Sequence, residues 1–188
     1  MPEDYMPGHL ESDDDNATKI DMTTDPVSLR MTGYTMHGNM PFTVPFMSQI
    51  TGNLWQGGCQ DGLVLPKFIK HLVSLYPWEM YTRKHELDSL MVVRMHDSIE
   101  QDTDQVLEIA SWVNSCRNSG PVLVHCQAGL NRSSLIVGAS LVLSGEKTGP
   151  EAVDFIRETR SPACLCNRTF ASWLSNLVIT EDSPDESP

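Results

Sequence analysis

The chain has 188 residues and a formal net charge of −12, enough for one domain with a proper hydrophobic core and too little for two. The charge sits at the ends. Residues 1–25 hold eight acids and one lysine, and residues 181–188 hold four acids and no base, which leaves residues 26–180 with 13 acids against 12 bases. An acidic chain without a basic run argues against electrostatic nucleic-acid binding as its main business.

The longest apolar stretch, residues 135–143, is far short of a membrane span, and no charged-then-apolar leader opens the chain. No membrane association is expected. The five cysteines, at 59, 116, 126, 164 and 166, leave one over if paired. That odd count points to a reducing, cytoplasmic setting rather than a disulfide framework.

Residues 1–45 are expected to form a poorly ordered acidic arm, since they show neither helical nor strand periodicity. Within them residues 41–45 (PFTVP) should be extended, because each proline fixes its own φ and biases its predecessor away from helix. A single globular domain is expected over residues 46–180, with order beginning near Ile50, and residues 181–188 form an acidic tail.

Asn53, Leu54, Trp55 and Gln56 before Gly57-Gly58 predict a short strand ending in a turn. Phe68, Ile69, Leu72 and Val73 fit a helical face, yet residues 73–76 fit a strand equally well. Residues 90–93 predict a strand. A helix follows, capped by Asp102 or Thr103, burying Val106, Ile109, Ala110 and Val113 and ended by Gly120-Pro121. Residues 121–125 (PVLVH) lack alternation, as a strand buried on both faces does. Residues 135–143 predict a buried helix, and Pro150 suits the first turn of the next. A last helix should bury Phe170, Trp173, Leu174, Leu177 and Val178. Strands alternating with helices define an α/β domain with a largely parallel central sheet flanked by helices.

Residues 125–134 (HCQAGLNRSS) lie between a buried strand and a helix, at the carboxyl end of a strand where α/β sheets place their ligands. Consecutive amides of Gln127, Ala128, Gly129, Leu130 and Asn131 can converge on one anion, aided by the helix dipole. Gly129 permits the tight turn. Arg132 offers a planar fork for two phosphate oxygens. The same positive field favours Cys126 as a thiolate nucleophile.

His-Cys-x-x-Gly-x-x-Arg-Ser resembles the signature of the cysteine-dependent protein phosphatases, and the short chain without a Trp-Pro-Asp segment is most similar to their dual-specificity branch. Residues 50–58 (ITGNLWQGG) are similar to the family's opening strand. Arg160-Ser-Pro with Asn167 and Phe170 is similar to its last-helix motif, so the likeness spans about residues 50–178.

The resemblance implies a phosphorylated protein substrate, attack by Cys126 on phosphorus and a phosphocysteine intermediate. Arg132 and the amides from Gln127 onward would bind the equatorial oxygens. Ser133 would donate to the departing sulfur, and His125 would orient backbone carbonyls behind the loop. A general acid must protonate the leaving oxygen. Asp97, Glu100, Asp102 and Asp104 all follow the 90–93 strand, and the family's loop position favours Asp97, because Asp102 and Asp104 have ready work at a helix start.

No cofactor or metal is expected. Cys164-x-Cys166 with Cys116 and a histidine matches no common zinc spacing. A second cysteine trapping oxidised Cys126 is conceivable chemistry, but the sequence does not say which. Two rival classes of function remain. Residues 129–132 (GLNR) also resemble relatives that trim RNA 5′-phosphates, and other relatives apply the same chemistry to non-protein substrates such as phosphoinositides; a catalytically dead phosphopeptide-binding module would keep the fold. The acidic chain and lysine-free loop oppose the first, and the presence of Cys126, Arg132 and Asp97 opposes the second.

Overall fold

The computed structural model describes residues 32–37, 40–59 and 62–179, with side chains from residue 44 onward. In chain order the elements are β1 (Thr32–His37), β2 (Met40–Pro45), β3 (Met47–Thr51), β4 (Leu54–Gly57), β5 (His71–Ser74), β6 (Ser89–Val92), α1 (Thr103–Arg117), β7 (Val122–His125), α2 (Arg132–Leu143), α3 (Gly149–Thr159) and α4 (Arg168–Ser175).

One sheet has the order β3-β4-β7-β5-β6. β4, β7, β5 and β6 run parallel, and β3 pairs antiparallel with β4. β7 is central and every one of its residues is buried. Its side chains alternate between two cores. Val122 and Val124 join Leu54 and Val73 against residues of all four helices. Leu123 joins Trp55 and Leu72 on the opposite face, under Phe46, Leu65, Ile69 and Tyr81. Uninterrupted apolar runs arise because both faces of this sheet are covered.

Side chains set the helix boundaries. The Asp102 carboxylate accepts from the amides of Asp104 and Gln105 and starts α1, while the Asn167 carboxamide oxygen accepts from Thr169 and Phe170 and starts α4. At α3 the Glu151 carboxylate accepts from both the amide and the hydroxyl of Thr148. α2 differs, because its N-cap residue, Asn131, makes no side-chain cap.

The structure refines four sequence expectations. Residues 41–45 are extended as expected, but the arm expected to be poorly ordered also holds Thr32–His37, which pairs antiparallel with Met40–Pro45. Residues 1–31 and 38–39 lie outside the described residues. The 68–76 ambiguity resolves as strand, with β5 bonded on both sides. Order in the main sheet begins at Met47, three residues before Ile50. Val178 is 76% exposed, because α4 stops at Ser175 and only Phe170 and Leu174 of that helix are fully buried.

Candidate active site

The loop between β7 and α2 begins at Cys126, which is 2% exposed, and closes at Arg132, which is 9% exposed. The amides of Gln127, Ala128, Gly129 and Leu130 donate to no backbone carbonyl among the described residues. Below them, the first turn of α2 lacks a side-chain cap. Orphaned amides at a helix start, together with those of the loop, form a nest for an anion.

Neighbouring segments support the loop from behind. Gly129 has φ +68°, and a Cβ there would lie 2.4 Å from the Gly57 carbonyl carbon and the Gly58 nitrogen, so the loop rests directly on the turn after β4. The Cys59 amide donates to the Gln127 carbonyl over 2.9 Å. Gln56, wholly buried, donates from Nε2 to the Gly129 carbonyl (3.0 Å) and to Ser134 Oγ (2.7 Å).

Arg160, 6% exposed, donates from Nε to the same Gly129 carbonyl (2.7 Å) and from Nη1 to the Pro45 carbonyl (2.8 Å). Burial pulls the pKa of its guanidinium below the ordinary arginine value. Leu165 takes a left-handed φ of +57°. Its amide donates to the Leu130 carbonyl (2.8 Å), and Arg157 braces the carbonyls of Cys164 and Leu165. Backbone strain at this one non-glycine position is held by contacts to the loop.

Cys126 Sγ lies 3.4 Å from Ser133 Oγ. Arg132 donates from Nη1 to the Met95 carbonyl (3.2 Å), and its guanidinium lies 5.0 Å from the centroid of the Tyr76 ring. Its buried Nε has no partner among the described residues. The guanidinium is thus oriented by a carbonyl and an aromatic face while keeping donor capacity in hand.

His125 is fully buried, with Nδ1 3.4 Å from the Cys126 carbonyl oxygen and its ring edge-on to Tyr81. Burial lowers its pKa to about 4, so the imidazole is neutral near pH 7. Tyr81 in turn donates its hydroxyl to the Gly58 carbonyl.

Asp97 reaches the loop through Asn131. Its Oδ2 accepts from Asn131 Nδ2 and its Oδ1 from Asn167 Nδ2, each at 2.8 Å. Asn131 Oδ1 meanwhile accepts from the Asn167 amide (3.0 Å) and the Cys166 thiol (3.3 Å). This is why Asn131 does not cap α2: its carboxamide ties Asp97 and the start of α4 to the loop between β7 and α2. The alternative acid Asp102 is spent on capping α1.

The structure thus gathers Cys126, Arg132, Ser133, His125, Asn131 and Asp97 at one edge of the sheet. Cys116 is elsewhere, 3.5 Å from Ser89 Oγ, and among the described residues no three potential ligands cluster for a metal. Sequence reasoning missed the supporting roles of Tyr76 and Gln56, and Arg160 entered only as part of a motif. A wholly buried glutamine in an apolar strand was the available signal for Gln56. Asn167 was noticed only as part of a motif.

An α/β domain with an amide-rich loop between a central strand and a helix, opened by cysteine and closed by arginine, defines a phosphate-handling fold. Comparison makes this specific: residues 66–178 match the family described as dual specificity phosphatase, catalytic domain. The chain belongs to that family. It is 40% identical over 73 residues to mouse dual specificity protein phosphatase 2, a stretch covering 35% of this chain and 23% of that relative, so the match spans about a quarter of the relative's length. It is 26% identical over 128 residues to the variola virus dual specificity protein phosphatase H1, covering 65% of the chain and 72% of the relative. Among solved structures, DUSP15 shares the fold with a TM-score of 0.55 at 23% identity, over 69% of this chain and 85% of that one.

Proposed function

We propose that residues 46–180 form a catalytic domain that hydrolyses phosphotyrosine, and phosphoserine or phosphothreonine, in proteins. The observation that carries this is the row of amides from Gln127 to Leu130, between Cys126 and Arg132, that donate to no backbone carbonyl among the described residues. Three equatorial phosphoryl oxygens would satisfy those amides together with the spare donors of Arg132.

In the first step the Cys126 thiolate forms a bond to phosphorus as the ester P–O bond breaks. The departing oxygen takes its electron pair and a proton from Asp97. In the second, a water attacks the phosphocysteine and gives its proton to Asp97. The P–S bond breaks, inorganic phosphate leaves, and the Ser133 hydroxyl donates to the returning thiolate. Asn131 and Asn167 hold the Asp97 carboxylate for both transfers. His125, neutral and enclosed, acts on the Cys126 carbonyl and moves no proton. Five free cysteines suit a reducing, cytoplasmic compartment.

Hydrolysis of an aryl phosphate by the wild type, and its loss in Cys126→Ser, tests the reading. Activity surviving in that variant would refute it. Comparing phosphotyrosine peptide, phosphothreonine peptide and 5′-triphosphorylated RNA then fixes the substrate class, with turnover of the peptides expected and preferential turnover of the RNA contradicting it.

A further inference from the structure

A continuous aromatic and cationic strip leads away from the phosphate loop. The Arg132 guanidinium lies 5.0 Å from the Tyr76 ring, the Tyr76 and Trp78 rings are 5.0 Å apart, and the Arg94 guanidinium lies 4.8 Å from the Trp78 ring. Tyr76 follows β5 by two residues and Arg94 follows β6 by two, so both sit at the sheet edge where β7 delivers Cys126. Burial falls along the strip. Arg132 is buried and Tyr76 half-buried, whereas Arg94 is exposed and Trp78 is 54% exposed.

Core packing does not account for the outer end of this strip. A large indole kept more than half in solvent has given up most of its burial energy. The guanidinium stacked on it has no carboxylate partner among the described residues. Stacking occupies the flat face of a guanidinium and leaves its edge donors directed outward, the arrangement in which arginine recognises a planar anion.

We infer that Trp78 and Arg94 form a recognition subsite that selects phosphotyrosine substrates carrying an acidic side chain next to the phosphorylated residue. With phosphate held at Arg132, the phosphotyrosine ring runs out along Tyr76 and Trp78, and a neighbouring Glu or Asp meets Arg94. Three contacts of about 5 Å match the reach of one aromatic side chain plus one residue of extended chain, at roughly 3.3–3.6 Å per residue. A nucleic-acid occupant is disfavoured: a polyanion needs several cations, and the strip offers one exposed cation, Arg94, beyond the buried Arg132. One exposed cation suits one carboxylate.

The inference rests on the phosphatase reading for its frame but is tested separately. Two phosphotyrosine peptides, identical except for Glu or Gln on both sides of the phosphotyrosine, are compared on the full chain by kcat/KM and by their Kd for the Cys126→Ser trap. The Glu peptide is expected to be favoured about threefold to fivefold in both measurements, the size of one exposed charge pair. The preference should shrink in 0.5 M NaCl, fall to unity in Arg94→Gln and persist in part in Arg94→Lys.

Equal values for the two peptides in the wild type overturn the inference. So does an equal loss on both peptides in Arg94→Gln, which would make Arg94 an anchor of the Asp97 loop. Preferential binding of 5′-triphosphorylated RNA, lost in Trp78→Leu while the peptides are unaffected, would assign the strip to nucleic acid instead. If neither peptide is hydrolysed but the trap still prefers Glu, the phosphatase reading fails and the subsite stands.

Discussion

Mild acid should destabilise the fold through one residue. His125 is fully buried, and desolvation, with the nearby Arg132 charge adding to it, lowers its pKa to about 4, against about 6.5 in an unfolded chain. Between those values the unfolded state binds the proton and the folded state does not, so stability is present above pH 6.5 and is lost as pH falls toward 4. From pH 7 to pH 5 the loss is about 2 kcal/mol. With a urea slope of roughly 1–3 kcal/mol per molar, the unfolding midpoint should drop by about 1 M.

Carboxylates do not confuse this window. Glu151, held below the ordinary range by the amide and hydroxyl of Thr148, loses its contribution only at lower pH. Urea unfolding at pH 7 and pH 5 measures the effect, and carbon-13 shifts of the His125 ring confirm that it stays neutral in the folded state. In His125→Asn, which keeps a donor near the Cys126 carbonyl, the pH sensitivity should vanish. An unchanged midpoint in the wild type, or an equal drop in the variant, would refute the reasoning.

Two other perturbations separate positioning from packing. Asn167→Ala removes both the α4 cap and the bond to Asp97 Oδ1. It should cost about 1 kcal/mol in denaturant unfolding and slow turnover roughly tenfold for poor leaving groups such as phenyl phosphate, while sparing p-nitrophenyl phosphate. An equal loss across a leaving-group series would remove Asn167 from the positioning of the acid. Gly129→Ala places a Cβ 2.4 Å from backbone atoms of Gly57 and Gly58 at a φ of +68°. It should destabilise by about 2–4 kcal/mol in thermal melts and abolish phosphatase turnover, because the loop cannot move off the turn beneath it.

The catalytic loop and its flanking elements were legible because their signals are local. β7 announces itself as an apolar run, α2 by its buried face, and the residues between them by chemistry at fixed spacing. The cap at Asp102 was legible for the same reason, because a helix start signals itself locally. The covering of the second sheet face was not legible. Residues 62–87 contribute Leu65, Ile69 and Tyr81 to that core with only the short strand β5 among the elements there, so no period marked Leu65 or Tyr81, and Ile69 fitted a helical face that the chain does not form. Nor could spacing show that Arg160, 31 residues after Gly129, donates to its carbonyl, or that Tyr76 lies beneath Arg132. Those contacts exist only once parallel strands bring their carboxyl ends together.

Asn131 shows how that convergence is used. An asparagine before a helix ordinarily spends its oxygen on the first free amides. Here the oxygen goes to Cys166 and Asn167 and the nitrogen to Asp97, so the start of α2 remains uncapped. Bonds from Gln56 and Arg160 to the Gly129 carbonyl, and from the Cys59 amide to the Gln127 carbonyl, brace the loop from behind. On the proposed phosphatase reading, donors arranged in advance in this way lower the cost of binding charge in the transition state.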